Sequence, residues 1–208
     1  HTLTIQGAAK ESSTLVCNRS GNSYALYDSS GGKLCLDDIT VEVTDGHGFQ
    51  MMGDADIGSG ARLVLNVPGR EDLVTVNGSL NVSGEIDIQD FDSIAISVRG
   101  SMTIKDGGTV KVGKGSQTNV GIEVRNGNAL VVESGGMLTG GAEAGGVELM
   151  HSGTYSAKIT GVAGKFIDRG QTLTENDQVT VAAATEVPSA TGLTAGVYTW
   201  NGNAFEKY

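Results

Sequence analysis

The stretch that decides the fold is residues 76–88, VNGSLNVSGEIDI, because it returns twice along the chain in altered form. Residues 98–112 read VRGSMTIKDGGTVKV, and residues 124–138 read VRNGNALVVESGGML. Each copy begins with valine, turns at glycine and then alternates apolar with polar residues, which is the two-residue period of a β-strand. Val76 and Val98 are 22 residues apart, and repeats of this length are typical of solenoids.

The glycines between the alternating segments repeat on the same scale. Gly84 and Gly108 are 24 residues apart, and Gly108 and Gly136 are 28 residues apart. Glycine permits the backbone angles of a sharp corner, so these positions are predicted to be corners of a coil. The alternation also assigns four pairs of inward residues: Leu80 and Val82, Ile86 and Ile88, Met102 and Ile104, and Val110 and Val112.

These repeats predict an all-β fold, a parallel β-helix in which short strands stack about 4.8 Å apart. At ~22–28 residues per rung, the 208 residues form roughly seven to nine rungs. No segment has the apolar spacing of a helix, so we expect very little helix. The chain contains only 2 prolines, which agrees with this fold because proline removes a hydrogen-bond donor from a central strand.

The amino-terminal third carries the same pattern less regularly. Residues 31–41 read GGKLCLDDITV, and residues 58–65 read GSGARLVL. The first resembles the Gly-x-Leu-x-Leu-Asp-x-Ile/Val-Thr-Ile/Val rung of bacterial right-handed parallel β-helix proteins, the pectin-lyase-like group with its surface and adhesin-type members. The similarity covers most of residues 2–182, and it implies the fold together with an extracellular or cell-surface location. It is a similarity of rung pattern and implies no particular activity.

The carboxyl-terminal residues depart from the rung pattern. We therefore divide the chain into a β-helix over residues 1–186 and a hairpin over residues 187–208 that belongs to the same domain. Asn201-Gly202 between alternating segments is a strong hairpin signal, and the hairpin is interpreted as a cap over the open end of the coil. A sharper alternative makes Tyr198 and Trp200 a platform on which a sugar ring stacks.

Charge and cysteine content narrow the choice of partner. The chain has 14 Lys and Arg against 24 Asp and Glu, a net charge of −10. It lacks the cationic surface that nucleic acid or anionic lipid requires, and it has no apolar run long enough to insert into a membrane.

Cys17 and Cys35 match no zinc pattern and are interpreted as part-buried free thiols, with one disulfide as the alternative. Because the chain begins at His1, we interpret it as a mature or trimmed form of an exported protein.

One group of carboxylates is the first candidate for a metal or acid–base site. In an extended segment Asp54 and Asp56 lie on the same side, with Asp38 about one turn earlier. Converging carboxylate oxygens are the ligands that calcium prefers, so these three residues form the predicted metal site. The enzymes of the resembled group also place carboxylates on outward strand faces.

Two further motifs are given structural interpretations. The acidic run that starts at Glu85 is interpreted as a solvated face, with Asp87 paired across strands to Lys111. Residues 45–48 read DGHG, and a Gly-His-Gly also occurs in β-helical polygalacturonases. The other motifs of those enzymes are missing from this chain, so the match is interpreted as coincidental.

Stacked polar residues supply the functional prediction. Alignment of the repeats places Asn77, Arg99 and Arg125 in one column, which a repeating polymer could contact. We predict an exported, non-catalytic β-helical module of a bacterial surface that is adhesive or binds a polysaccharide or another extracellular ligand. The predicted ligand-binding residues are Arg99, Arg125, Tyr198 and Trp200.

No complete catalytic motif is present in the sequence, which favours a non-enzymatic role. No cofactor is predicted to be required, and calcium is the one candidate. Two alternatives stay open: a small polysaccharide lyase or glycoside hydrolase that uses outward carboxylates, and a structural spacer.

Overall fold

The computed structural model describes most of the chain. The described residues are 1–18, 21, 23–70, 72–92, 94–115, 120–125, 130–133, 136–140, 147–152, 158–168, 178–187, 190–193, 196–200 and 205–207. All secondary structure in these ranges is β-strand, so the predicted all-β fold is confirmed. Within the same ranges, no helix is long and apolar enough to cross a membrane.

The strands fall into three parallel ladders that run the length of the coil. Sheet A contains β1 (Thr2–Gln6), β4 (Lys33–Asp37), β7 (Asp54–Ile57), β10 (Leu80–Val82), β13 (Met102–Ile104), β16 (Leu130–Val132) and the start of β19 (Lys158–Asp168). Sheet B contains β2 (Thr14–Asn18), β5 (Thr40–Asp45), β8 (Arg62–Asn66), β11 (Glu85–Phe91), β14 (Thr109–Gly115) and β17 (Met137–Gly140). Sheet C contains β3 (Tyr24–Asp28), β6 (His47–Met51), β9 (Val74–Val76), β12 (Ile94–Val98), β15 (Val120–Arg125) and β18 (Val147–Ser152).

From β1 to β16, each strand pairs in parallel with the strand three places later, which is the connectivity of a β-solenoid. The predicted parallel β-helix is therefore confirmed as the fold class. The strand registers also confirm the repeat spacings, because Val76 lies beside Val98 in sheet C. In sheet B, Thr109 lies beside both Glu85 and Met137. Each of these three residues directly follows a glycine, so Gly84, Gly108 and Gly136 are aligned in successive coils. The total of seven to nine rungs extends over residues outside the described ranges and stays a prediction.

The interior of the coil is one continuous apolar core. All eight residues that the alternation assigned to it are inward, with exposed fractions of 0% to 2%. The same core continues toward the amino terminus through residues such as Leu36, Ile57 and Leu63. Full burial of one such side chain contributes about 1.5–3 kcal/mol. Stacking of rungs therefore provides the free energy that a single short rung cannot.

One corner of the coil is a column of glycines in successive rungs. The amide of Gly78 donates to the carbonyl oxygen of Gly53 at 3.0 Å, and the amide of Gly100 donates to that of Gly78, also at 3.0 Å. A Cβ atom at Gly100 would lie 2.5 Å from the Gly78 oxygen, which real Cβ atoms essentially never do. Close backbone packing therefore requires glycine at this corner, rather than the special backbone angles that the sequence predicted for the glycines of the repeat.

The carboxyl-terminal strands change the direction of pairing. Strand β20 (Gln178–Val187) is parallel to β19 and antiparallel to both β21 (Ala190–Leu193) and β22 (Gly196–Trp200). Strand β23 (Phe205–Lys207) pairs antiparallel with β22. Strand β20 crosses the proposed boundary between residues 186 and 187, and the division into coil and cap stays a prediction.

The two cysteines are free and belong to different sheets. Cys17 lies on β2 and packs against the core, whereas Cys35 lies on β4 beside Asp56 of the next rung. Burial raises the pKa of the Cys17 thiol. Of the two alternatives that the sequence left open, the structure has the free thiols.

Candidate functional site

Three aromatic side chains lie together on the outward face of sheet C. The rings of Tyr24 and Tyr27 on β3 stack with centroids 5.8 Å apart and planes 15° from parallel. The His47 ring on β6 lies 5.4 Å from the Tyr24 ring at an angle of 46°. Tyr27 is 58% exposed, an unusual fraction for so large an apolar ring. These three residues are called the aromatic patch below.

The coil geometry brings the patch together. Tyr24 and His47 occupy the same register position of neighbouring strands, and the His47 amide donates to the Ser23 carbonyl at 3.0 Å. One residue further on, a Cβ atom at Gly48 would lie 2.0 Å from the carbonyl oxygen of Leu73. Strand pairing therefore fixes the position of His47. Close packing against the next rung requires glycine at position 48.

A rigid support lies under the patch. Phe49, two residues after His47 on β6, is completely buried and is in register with Leu26 and Val74. Beside it on the outward face, Gln50 lies next to Tyr27 and is followed by Thr75. The patch therefore combines apolar ring faces with neighbouring amide and hydroxyl groups on a backbone that strand pairing holds in place.

Exposure along this outward face falls from rung to rung. Ser97, in register with Thr75, is only 4% exposed, and Glu123, in register with Ser97, is only 3% exposed. The Ser97 hydroxyl donates to Glu123 Oε2 at 3.0 Å. In the described column that runs from Tyr27 through Gln50, Thr75 and Ser97 to Glu123, the accessible part is therefore its amino-terminal end, where the aromatic patch lies.

Tyr24 of the patch keeps its proton at neutral pH. Burial raises the pKa of Tyr24, and the negative charges of Asp72 and of an ionised Tyr27 raise it further. A neutral phenol can both donate and accept a hydrogen bond. On the same strand, hydrogen bonds from the Ser30 hydroxyl and amide lower the pKa of Asp28, which stays a carboxylate.

The predicted metal residues Asp54 and Asp56 have protein partners. Asp56 forms an ion pair with Lys33 at 2.5 Å and accepts a hydrogen bond from the Asn81 amide at 2.9 Å. Asp54 accepts the backbone amide of Ser79 at 2.8 Å. The strand register places Lys33 and Cys35, rather than a third carboxylate, directly beside these two residues.

Asp38 lies at a different place in the coil. It follows β4 at a corner with a φ of 49°, and its Oδ1 atom lies against the backbone of Gly60. Among the residues whose side chains the structure describes, no group of three or more His, Cys, Asp or Glu side chains is arranged to hold a metal ion. Calcium binding by Asp38, Asp54 and Asp56 stays a prediction, and the affinity electrophoresis described below tests it with calcium and with chelator.

The four predicted ligand-binding residues are placed by the strand registers. Arg99 and Arg125 each follow a valine of one stacked column, Val98 and Val124, so the two arginines occupy equivalent positions of successive rungs. Tyr198 and Trp200 belong to β22 and pair with Lys207 and Phe205 of β23. The side chains of Arg125, Tyr198 and Trp200 lie outside the described part of the structure, and their role in binding stays a prediction.

The outward face of sheet B carries a network of ion pairs instead of aromatic rings. Arg62 on β8 contacts Glu85 at 3.3 Å and Asp87 at 2.8 Å, both on β11. Lys111 on β14 contacts Glu85 at 2.9 Å. The register pairs Asp87 with Lys111 as the sequence predicted, but the ion pair of Lys111 runs diagonally to Glu85 and that of Asp87 runs diagonally to Arg62. These four residues are called the charged ladder below.

Comparison with known proteins adds no assignment. No protein-family profile, no curated protein and no solved structure matches this chain. The resemblance to the pectin-lyase-like group therefore consists of the rung pattern, and the structure supports the β-solenoid fold that this pattern implies.

The aromatic patch is absent from the site residues predicted from sequence. The one available signal is spacing, because 23 residues separate Tyr24 from His47 and this length is one coil. Tyr24 and Tyr27 lie in a segment with no recognisable repeat, so the register that joins them to His47 cannot be assigned from the sequence alone. The aromatic platform predicted from the sequence, Tyr198 and Trp200, lies at the other end of the chain, where aromatic residues cluster beside the Asn201-Gly202 hairpin signal.

Proposed function

We propose that this chain is an exported, non-catalytic β-solenoid module of a bacterial cell surface that binds carbohydrate through the aromatic patch. The observation that carries this proposal is the pair of parallel tyrosine rings, one of them 58% exposed, on a sheet face with polar neighbours. The adhesive role predicted from the sequence is compatible with it, since binding of a surface glycan is one way in which such a module attaches.

The chemistry of a sugar ring matches this surface. A pyranose has an apolar face of C–H groups and an edge of hydroxyl groups, so it packs on an aromatic ring while hydrogen-bonding at its rim. Tyr27 supplies the ring face, and the outward positions of Gln50 and Thr75 supply amide and hydroxyl groups in successive rungs. Rungs about 4.8 Å apart repeat on the scale of one sugar unit, which suits an extended polymer.

The state of the outward carboxylates supports binding over catalysis. Burial by itself raises the pKa of Glu85, but the Lys111 hydrogen bond and the charges of Arg62 and Lys111 outweigh it and hold the pKa below its usual value. A glycosidase acid requires the opposite shift, a raised pKa that keeps the proton for the leaving group. Asp56, another outward carboxylate, forms an ion pair with Lys33.

Affinity electrophoresis through gels that contain neutral, acidic and basic polysaccharides tests the proposal. Retardation should occur in at least one gel and should be lost in Tyr27→Ala, which removes the exposed ring. The matched control is Met137→Ala, which removes another exposed apolar side chain, 41% accessible, from sheet B. Each gel is run with calcium and with chelator, which tests the predicted calcium site at the same time.

The outcomes separate the possible ligand sites. Retardation lost in Tyr27→Ala and kept in Met137→Ala supports the aromatic patch. Retardation unaffected by Tyr27→Ala but lost in Trp200→Ala would move the site to the carboxyl-terminal aromatic residues. Migration that no polysaccharide changes would contradict carbohydrate binding and favour the structural-spacer alternative.

A further inference from the structure

We infer that this chain forms a head-to-head dimer in which the first coils of two copies pair through the free edge of strand β1. The first coil comprises residues 2–32, because Thr2 lies beside Lys33 one turn later. This contact lies at the end of the coil and does not depend on the proposed carbohydrate site. Three properties of the first coil support it: an uncovered part of the core, an unpaired strand edge and a nearly neutral charge.

The apolar core is uncovered at the first coil. Leu3 is 57% exposed, although Leu34, its neighbour in the same column one coil later, is 3% exposed. Among the described residues, the apolar side chains that pack against the core and are only partly buried lie on β1, β2 and β3: Ile5, Leu15, Cys17, Ala25 and Leu26. Their neighbours one coil later include Leu36, Val41 and Phe49, which are 0% to 1% exposed. A further apolar layer would therefore remove the remaining core surface from water.

Strand β1 also has a free backbone edge. The Gly7 amide, directly after this strand, donates to the Asp37 carbonyl at 3.0 Å. Backbone groups alternate sides along a strand, so those of Leu3 and Ile5 also face β4, and those of Thr4 face the opposite edge. Among the described pairings, β4 is the partner of β1. Such an edge accepts another strand unless lysine, proline or a bulge blocks it, and β1 contains none of these.

The sequence of β1 is complementary to itself in an antiparallel arrangement. Residues 2–6 read TLTIQ, with polar residues at the centre and at both ends. With Thr4 opposite Thr4 of the second copy, Leu3 lies opposite Ile5 of that copy, and both residues belong to inward columns. The amide and carbonyl of Thr4 face the free edge, as an antiparallel hydrogen-bonded pair requires. A two-fold contact of this kind uses the same surface on both copies and closes at the dimer.

Charge favours a contact at this end of the coil. Of the 14 basic and 24 acidic residues, residues 1–32 contain two of each, so the net charge of −10 belongs to residues 33–208. The ammonium group of His1 adds one positive charge, which leaves the first coil close to neutral. Two copies that meet here keep their acidic parts apart. The coil is also large enough, since each partner of a stable interface contributes about 20–30 residues.

Sedimentation equilibrium of the full chain at about 1–100 μM tests the dimer, because weak interfaces of standard size dissociate in the micromolar range. We expect a dimer whose fraction rises with concentration. Leu3→Lys places a charge in each half of the contact and should raise the dissociation constant by about tenfold or more. Thr4→Pro removes an amide from the free edge and no bond to β4, and it should have an effect of similar size.

Met137→Lys is the matched control. It makes the same substitution at another exposed apolar residue, 41% accessible, on sheet B and away from the first coil. It should leave the dissociation constant unchanged. Urea titration followed by circular dichroism should show that Leu3→Lys and Thr4→Pro are folded, since one side chain is exposed and the other residue lies on a strand edge.

A monomer at every concentration would overturn the inference and leave the edge of β1 to a strand of another protein. A dimer that Leu3→Lys and Thr4→Pro weaken no more than Met137→Lys does would also overturn it, because the contact would then lie elsewhere. Neither result bears on carbohydrate binding, which the polysaccharide gels test separately.

Discussion

The outward faces of sheet B and sheet C are built on the same coil and present opposite chemistry. On sheet B the charged ladder joins two basic and two acidic side chains across three successive strands, β8, β11 and β14. On sheet C the first two strands present stacked aromatic rings, one of them largely exposed. Both faces have the same parallel hydrogen-bonded backbone beneath them.

The difference shows which part of a solenoid stabilises it and which part is available for binding. The side chains of the charged ladder are engaged in ion pairs with one another, so this face has little to offer a ligand. Contact of an exposed tyrosine ring with an apolar surface is favourable because it removes apolar area from water. Little conformational freedom is lost on contact, since neighbouring residues already support the ring. A solenoid can therefore assign separate tasks to separate faces without any change in the backbone.

The largest expected effect is common to both faces, because they share one core. Phe49→Ala behind sheet C should lower the free energy of unfolding by about 3–5 kcal/mol, and Ile86→Ala behind sheet B by about 2–5 kcal/mol. Both residues are 0% exposed. Urea titration followed by circular dichroism measures both values. A loss below about 1 kcal/mol for Phe49→Ala would mean that the patch lacks the rigid support described here.

A smaller effect is expected for Gly48→Ala, next to the patch. The added methyl group would lie 2.0 Å from the Leu73 carbonyl oxygen and 2.7 Å from a Leu65 methyl group, so neighbouring rungs must separate. We expect a loss of about 1–3 kcal/mol in unfolding free energy, together with weaker carbohydrate binding as His47 shifts. Full stability of this variant would contradict the close approach of the two rungs.

Arg62→Ala and Tyr27→Ala should separate the two faces. Arg62 joins two carboxylates, so its loss should cost about 1 kcal/mol of stability and leave carbohydrate binding unchanged. Tyr27→Ala should leave stability nearly unchanged and weaken binding by about tenfold. Paired urea and binding titrations of the two variants check both statements. Loss of binding in Arg62→Ala would show that sheet B also contacts the ligand.

The smallest effect is a pH dependence that belongs to the charged ladder. The pKa of Glu85 lies below its ordinary value of 4.5 in the folded chain, so its ionisation stabilises the fold above that pH. This contribution disappears as the pH falls through the lower, folded value. The stability difference between the wild type and Glu85→Gln should therefore be largest at neutral pH and shrink between about pH 5 and pH 3. A difference that grows on acidification would contradict the direction of the shift.

Much of the fold could be predicted from the sequence because a solenoid repeats its own register. Val76 and Val98 are aligned by spacing alone, and the structure pairs them. The alternation of Leu80 and Val82, or of Ile86 and Ile88, identifies inward residues because strand geometry leaves only two faces. The repeat also marks Gly78 as a turn, but the physical reason for glycine there, the close approach of the Gly53 backbone, is visible only in the structure.

The candidate site could not be predicted in the same way. Asp54 and Asp56 share a side of β7 as expected, but their partners Lys33, Ser79 and Asn81 come from neighbouring rungs whose register the sequence does not fix. The pair Asp87 and Lys111 is in register, yet long side chains reach diagonally to other partners. Tyr24 and His47 meet across a coil in which no repeat is visible.

The central claim is that carbohydrate binds the amino-terminal end of sheet C and not sheet B. The most direct test is a titration of the nitrogen-15-labelled chain with the oligosaccharide that binds best, followed residue by residue through the backbone amide signals. The account predicts shifts confined to residues 23–28, 46–51 and 74–76, with residues 85–90 and 109–113 unchanged. Shifts concentrated in the residues of β11 and β14, or spread evenly along the coil, would contradict it.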